Sequence, residues 1–329
     1  MRIKIEEEMP KATFAINNLI EDYSFQGRET QVVSKIAFPQ YKPLKGYLII
    51  AVSSNDRIND IIKWKVSLNN IALTREFRPH IDVKIDEKTY QAVFAYEISK
   101  ILSSTDLTLK ISYEGKDKIK IDTASLLTFH QYDDDNVYVS CISEVVQLND
   151  YEMILPTVNN KDYKESTIYM GVTAQKPSTL LINANNSNDS NTFILREGFN
   201  LIEASLSRYR TADRITLKCD DQSARHLFRC VTYSSISYPN LELEHRRIDN
   251  SNIDLVIKNI GVAKADHIEL IILRSGLPIQ KFVVGPMEAN EERNVRLSLP
   301  MFNDINKKMT IRVIWRKALR TFVKDYQIT

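Results

Sequence analysis

The chain reads as all-β, and three observations carry that reading. Hydrophobic residues alternate with polar ones at a period of two, which puts one side of a strand in a core and the other in water. Strand-length runs recur roughly every 10 to 15 residues between clusters of Asn, Asp, Ser, Pro or Gly. No long segment holds an apolar stripe at helical spacing. Together these predict tandem antiparallel sandwiches or jelly rolls.

The elements follow in order. Leu48-Ile49-Ile50-Ala51-Val52 is a strand-sized apolar run. Trp64, Val66 and Leu68 alternate with Lys65 and Ser67; Phe94, Tyr96 and Ile98 with Ala95 and Glu97; Leu107, Leu109 and Ile111 with Thr108 and Lys110. Later runs are Ile253-Leu255-Ile257, Val295-Leu297-Leu299 and Met309-Ile311-Val313-Trp315. Short helical turns are expected at Ile16 to Asp22 and at Asn59 to Lys63.

Two breaks define three expected sandwiches. The acidic stretch Gln131-Tyr132-Asp133-Asp134-Asp135-Asn136 and the segment Ser237-Tyr238-Pro239-Asn240 separate residues 1–131, 132–238 and 239–329. Each is a comfortable size for one domain. The first two share short strings at comparable stages: Thr105-Asp106-Leu107-Thr108-Leu109-Lys110 with Asp213-Arg214-Ile215-Thr216-Leu217-Lys218, Tyr96-Glu97-Ile98-Ser99 with Ile202-Glu203-Ala204-Ser205, and Lys45 to Ile50 with Ser166 to Gly171. A diverged duplication is one reading; chance likeness between β-domains is the other. If the halves are repeats, their strand orders must agree.

Composition excludes more than it assigns. The 329 residues hold only 8 glycines, against roughly 23 at average usage. None cluster, so neither a phosphate loop nor a dinucleotide-binding turn is written here. The turns must rest on Asn, Asp, Ser and Pro. With 44 basic and 42 acidic residues the net charge is +2, too balanced for a dedicated nucleic-acid binder. No window is long and apolar enough to span a membrane as a helix. The glutamates Glu6, Glu7 and Glu8 deny the N-terminus a secretory apolar core, which points to a cytoplasmic or virion protein, or to a surface protein whose signal has been trimmed. Three cysteines, Cys141, Cys219 and Cys230, suit a reducing compartment better than a disulfide scaffold. A Cys219–Cys230 bridge across a hairpin is the alternative to two buried thiols.

The last third carries the most specific pattern. Asp254-Leu255-Val256-Ile257-Lys258-Asn259-Ile260-Gly261-Val262-Ala263-Lys264-Ala265, then Ile268 to Leu273, Gly276 and Val284-Gly285-Pro286-Met287-Glu288-Ala289-Asn290-Glu291-Glu292, resembles CARDB-type immunoglobulin-like domains. Ala289-Asn290-Glu291 stands where that family favours Ala-Gly-Glu. The resemblance implies an immunoglobulin-like sandwich and a spacer or adhesion role, mostly on bacterial or archaeal surfaces. Gly261 is expected to supply a positive φ after Asn259. Residues 61–112, with Trp64-Lys65-Val66-Ser67-Leu68-Asn69-Asn70, Phe94 to Ser99 and Leu107 to Lys110, resemble jelly-roll modules of the galactose-binding type. The fold class expected is therefore three tandem antiparallel sandwiches, two jelly-roll-like and one immunoglobulin-like.

Sites are sparse. His80, His130, His226, His245 and His267 each lack a second histidine three or four positions away, so no helix-borne zinc pair exists. Asp133-Asp134-Asp135 lacks the spacing of a calcium loop and reads as a solvated linker; Asp220-Asp221 reads as a hairpin tip. There is no nucleophile elbow. Arg312, Arg316, Lys317, Arg320 and Lys324, with His245-Arg246-Arg247, offer a mild basic patch whose simpler reading is a solvated face. Tyr132, Tyr138, Tyr151, Tyr163, Tyr169, Tyr209, Tyr233 and Tyr238 are expected to be exposed, as an interface or sugar platform or as ordinary strand residues. No catalytic, cofactor-binding or metal-ligating residue is assigned, and no cofactor is called for. The expected function is a non-enzymatic structural or interaction protein, a surface, filament or virion component or a scaffold, whose partners are proteins or further copies. Carbohydrate binding through the tyrosine-rich first two sandwiches is the alternative, and a jelly-roll hydrolase a weaker third.

Overall fold

Period-two alternation does what it should in the computed structural model, which describes residues 2–25, 31–38, 41, 43–58, 64–73, 78–102, 106–115, 118–158, 162–184, 190–206, 213–248, 252–298 and 309–328. The strands are β1 (Ile3–Phe25), β2 (Gln31–Ala37), β3 (Pro43–Ser54), β4 (Trp64–Leu68), β5 (Ile71–Ala72), β6 (Ile81–Lys84), β7 (Tyr90–Glu97), β8 (Asp106–Tyr113), β9 (Ile119–Gln147), β10 (Tyr151–Ile154), β11 (Glu165–Ala174) and β12 (Ser178–Ala184). They continue as β13 (Ser190–Leu195), β14 (Gly198–Ser205), β15 (Arg214–Cys219), β16 (Arg225–Ser234), β17 (Leu241–Ile248), β18 (Asn252–Asn259), β19 (His267–Arg274), β20 (Leu277–Val283), β21 (Glu292–Ser298), β22 (Met309–Lys317) and β23 (Arg320–Ile328). Among the described residues the only helical element is a 3-10 turn at Ser99–Ile101. All strand pairs are antiparallel, so the all-β, multi-sandwich fold class holds.

The chain divides into two compact units, Met1–Ile236 and Ser237–Thr329. The first contains two jelly rolls. In one, β1-β9-β3-β7 stands over β2-β8-β4-β5; in the other, β9-β16-β11-β14 stands over β10-β15-β12-β13. Matched along the chain, the two orders agree except for β6, which pairs with β7 at the edge of the first large sheet and has no counterpart on β14. The three string pairs singled out in the sequence fall on equivalent strands: β8 with β15, β7 with β14, β3 with β11. Each jelly roll has its own core, with Leu48, Trp64, Phe94 and Leu109 in the first and Met153, Met170, Ile182 and Leu217 in the second.

The expected division at residue 131 falls inside a strand. β9 is the last strand of the first jelly roll over residues 119–130, paired with β3, and the first of the second over 137–147, paired with β16. β1 runs beside it at both ends. The acidic stretch is a bulge rather than a linker: Tyr132 to Asp135 stand opposite the single residue Lys11, which takes φ 52°. β9 is continuous because its outward face is buried too. Ile49, Ala51, Val93 and Phe129 of the first jelly roll share a third core with Val139, Phe199 and Phe228 of the second.

β1 corrects a second expectation. Ile16 to Asp22 is strand, not a helical turn: Ile16 to Asn18 pair with Leu127 to Ser125, and Ile20 and Glu21 with Ala124 and Thr123, across a bulge at Leu19. Asn59 to Lys63 lies outside the described residues. Turns follow the glycine shortage: Asn69-Asn70 and Ser275-Gly276 connect hairpins with both residues at positive φ, the twist such two-residue turns need.

The second unit sets β17-β18-β21 against β20-β19-β22-β23 in an immunoglobulin-like sandwich. Leu255, Ile257, Leu270, Ile311 and Val313 fill it, and Trp315 donates its indole N–H to Pro239 O at 3.2 Å.

Candidate interaction edges and cleft

The titratable side chains are absorbed into structure. Inside the second jelly roll Glu144 pairs with buried Arg229, accepts from Tyr151 and meets Arg2 at 2.7 Å. Burial drives the Glu144 pKa upward, but Tyr151, Arg229 and Arg2 more than offset it, and the carboxyl lies below the usual range. His226 stacks 6.1 Å from Tyr151 and is fully buried, which pushes its pKa down to about 3. In the first jelly roll Asp122 is held by Gln91 and Ser53 beside Lys120, its pKa raised by burial.

The candidate residues fare unequally. Of the Asp run, Asp135 turns inward to Ser234, Ser235 and the Ile236 N–H, while Asp133 and Asp134 stay exposed; the three carboxylates do not converge. No group of three or more His, Cys, Asp or Glu able to hold a metal occurs among the described residues. His130 donates through Nδ1 to Tyr41 O and shares a hydrogen bond with the Thr128 hydroxyl, His80 accepts the Ala95 N–H, and His267 donates to Glu269. The His245-Arg246-Arg247 side chains lie outside the described residues. Arg312 is held bidentately by Asp325, Lys317 is buried near Asp266, and Arg320 and Lys324 lie over Tyr238 and Tyr326.

Cys219 and Cys230 do not pair. β15 and β16 belong to different sheets, Cys219 facing the second core and Cys230 the shared one. Cys230 instead lies opposite Cys141 in the β9–β16 ladder and forms a disulfide with it; Cys219 stays a buried thiol. That bond runs against the expectation of reduced cysteines.

The tyrosines are not exposed platforms. Tyr132 is buried and Tyr138, Tyr151, Tyr163, Tyr169, Tyr233 and Tyr238 are half-buried; Tyr209 lies outside the described residues. Several hydroxyls are tied to carboxylates. Tyr138 donates to Glu6, Tyr47 to Glu7 and Tyr163 to Glu8, so the three N-terminal glutamates are gripped one by one, from β9, from β3 and from the segment before β11. Glu7 reaches the first jelly roll while Glu6 and Glu8 reach the second.

What remains open lies along one side of the first unit. Strands β13 and β14 border a cleft of about 370 Å³, lined by Phe193, Ile194, Arg196, Asn200, Glu203 and, from β1, Glu21. Ile194 is 88% exposed, and Arg196 bridges to Glu21 at 2.5 Å. Beside it, Asp22 accepts the Phe199 N–H at 2.8 Å, fixing β1 against β14. Among the described residues, β1 over Ala12–Ile20 has β9 on one edge and no strand laddered on the other. The equivalent edge of the second jelly roll, that of β9 over 136–143, is covered by Ile3 to Pro10. No sequence signal marked this asymmetry, because it is a property of the pairing.

No family model and no curated protein matches the chain. Among solved structures, a calcium-binding mutant of Bacteroides uniformis beta-glucuronidase 2 is similar at 14% identity and TM-score 0.21, over 59% of this chain and 26% of that one. Parabacteroides merdae beta-glucuronidase is 9% identical at TM-score 0.24, over 57% and 27%, and the Ruminococcus gnavus enzyme 7% identical at 0.23, over 60% and 36%. The chain spans about a quarter to a third of those enzymes' length. Likeness at that level carries no argument about activity.

Proposed function

We propose that this protein is a non-enzymatic structural or interaction component that works through contacts of its stacked sandwiches with protein neighbours, as part of a surface layer, a filament or a virion, or as a scaffold. The observation that supports it is the fusion of two jelly rolls of matching strand order, β6 apart, by one 29-residue strand and a shared core. Such a brick holds its sheet edges in a fixed relation, which suits repeated contact better than a moving active site. The matching strand orders support a diverged duplication, and the second unit, in this reading, is a CARDB-like spacer. The Cys141–Cys230 bond favours a surface or particle setting over a reducing cytoplasm.

Sedimentation velocity over a concentration series, with electron microscopy of the heaviest species, tests this. Species larger than the single chain, growing with concentration, are expected. A strict monomer that also shows no cross-link between copies would count against self-association.

One observation favours carbohydrate binding as a second reading: the β13–β14 cleft sets Phe193 beside Asn200, Arg196 and Glu203. In that case the chain binds glycans on an array, and Arg196→Ala abolishes the signal.

A further inference from the structure

A bulge shared by two strands gathers charge inside the second jelly roll. Between β9 and β16, Ser143 faces Phe228 and Val146 faces His226, so Glu144 and Val145 stand opposite the single residue Leu227. Leu227 is skipped again on the other side of β16, where Gly171 faces Phe228 and Val172 faces His226. On a regular strand His226 and Arg229, three residues apart, would point to opposite faces. The bulge turns them to the same one. His226 stacks on Tyr151 at 6.1 Å, and Arg229 donates to the Tyr151 hydroxyl at 2.9 Å.

This cluster has no place for a further positive charge. His226 is fully buried, and neither ring nitrogen has a hydrogen-bond partner among the described residues. The groups facing it are Arg229 on its own strand, Glu144 on β9, Tyr151 on β10 and Arg2 just before β1, while β11 offers Val172. Those are two cations and one carboxylate, and Glu144 is already engaged by Arg229, Arg2 and Tyr151. A proton on His226 makes a third cation. Burial, then Arg229, holds the His226 pKa down at about 3, against about 6.5 for an imidazole in water. The closed arrangement is therefore fully stable above 6.5 and weakens as pH falls below it. One cation can leave. Arg229 is 5% exposed on a central strand, whereas Arg2 is 56% exposed at the start of the chain.

We propose that His226 is an acid-sensitive latch: a proton taken up there displaces Arg2 from Glu144 and loosens Ile3 to Ile5 from their partners Ser143 to Cys141. Departure of Arg2 restores the balance of charge, with Arg229 and the imidazolium sharing Glu144. The loosening ends at Glu6, because Tyr138, Tyr47 and Tyr163 tie down the strand from there onward. The start of β1 is then a pH-gated cover on the edge of β9.

Amide hydrogen exchange of the full chain at pH 7 and pH 5, read residue by residue by NMR and corrected for the free-chain rate at each pH, tests this. One proton can shift an equilibrium by at most tenfold per pH unit below 6.5. Protection at Ile3 to Ile5 is expected to fall by about tenfold, while that of Val231 and Thr232 on β16 holds. His226→Phe keeps a ring against Tyr151 but cannot titrate, and its protection is expected to be the same at both pH values. Should that variant not fold, as judged by circular dichroism melts, His226→Gln takes its place. Arg2→Ala is expected to show at pH 7 the protection that wild type shows at pH 5. Equal protection at the two pH values in wild type overturns the latch, as does a fall that survives in the His226 variant, which assigns it to a carboxylate. Wild-type protection in Arg2→Ala overturns it too, and so does loss at Val231 and Thr232 in step with Ile3, the mark of the whole jelly roll unfolding.

Discussion

Arg229 and Glu144 form an ion pair inside the second jelly roll, with 5% and 7% of their side chains exposed. Removing one partner leaves the other charge buried, which typically costs about 3–5 kcal/mol. Arg229→Met is therefore expected to lower stability by about 3 kcal/mol, since Arg2 and Tyr151 still reach Glu144. Arg229→Met with Glu144→Gln should lose less than the two single losses added, and urea melts closing a double-mutant cycle measure the difference.

Tyr47 and Glu7 tie the N-terminal strand to the first jelly roll. Burial, followed by the hydrogen bond to Glu7, pushes the Tyr47 pKa up to about 12. Lys45 adds an ion pair to Glu7 at 2.6 Å. Tyr47→Phe is expected to cost about 1–2 kcal/mol and Glu7→Gln a similar amount. The coupling should be largest for this pair and smaller for Tyr163 with Glu8, whose contact is exposed. Denaturant midpoints for the two cycles decide it.

Asp135 gives a pH dependence with a definite sign. Burial, opposed by hydrogen bonds from Ser234 and Ile236, raises its pKa to about 6. An acid raised in the folded state contributes stability that is present below the unfolded value near 4 and lost as pH rises through about 6. The two values differ by about two units, so the loss is of order 3 kcal/mol. Asp135→Asn should flatten this part of the stability profile between pH 4 and 7 while keeping an acceptor for the Ile236 N–H. Urea midpoints across that range, against wild type, test the sign directly.

The thiol count follows from the ladder. Of three cysteines, Cys141 and Cys230 are bonded and Cys219 is buried. A thiol reagent is expected to find no reactive thiol in the native chain, one after denaturation and three after reduction. Two reactive thiols in the unreduced, denatured chain are impossible on this pairing, and three would show that the bond is absent.

Strands such as β4, β8, β18 and β22 are legible because one face meets a core and the other water, so burial and hydropathy share a period of two. β9 is not legible as one strand, since both of its faces are buried over residues 121–130 and its junction is an acidic bulge that mimics a linker. Ile16 to Asp22 misleads for the opposite reason: on a half-covered edge, neither face is driven to a pure hydropathy. The shared strings fall at β3 and β11, β7 and β14, β8 and β15, where corresponding strands of two similar sandwiches face their cores. The unpaired edge of β1 leaves no motif; it exists only as a missing neighbour. Nor could the Cys141–Cys230 pair be read, being 89 residues apart on strands that meet only through the sheet order.

Gly261 is the last test, and it separates two physical reasons for one glycine. The expectation was a positive φ, but the glycines that adopt one among the described residues are Gly198, Gly276 and Gly285. Asn259 satisfies the turn instead, donating to Ala263 O and Glu288 O and accepting the Gly261 N–H at 3.1 Å. What requires glycine is space: a Cβ there would lie 2.4 Å from the backbone N of Asn240 and 2.9 Å from Pro239. Those neighbours are backbone, anchored by the Trp315 indole and by the Ile260 N–H bond to Asn240 O, so they cannot swing aside. Gly261→Ala is expected to destabilise by about 1–3 kcal/mol through overpacking. At Asn290, which sits at φ 59° where the resembled family favours glycine, Asn290→Gly relieves backbone strain and should be neutral or mildly stabilising. The melting temperature is expected to fall for Gly261→Ala and to hold or rise slightly for Asn290→Gly; a Gly261→Ala variant as stable as wild type would overturn the close-approach account.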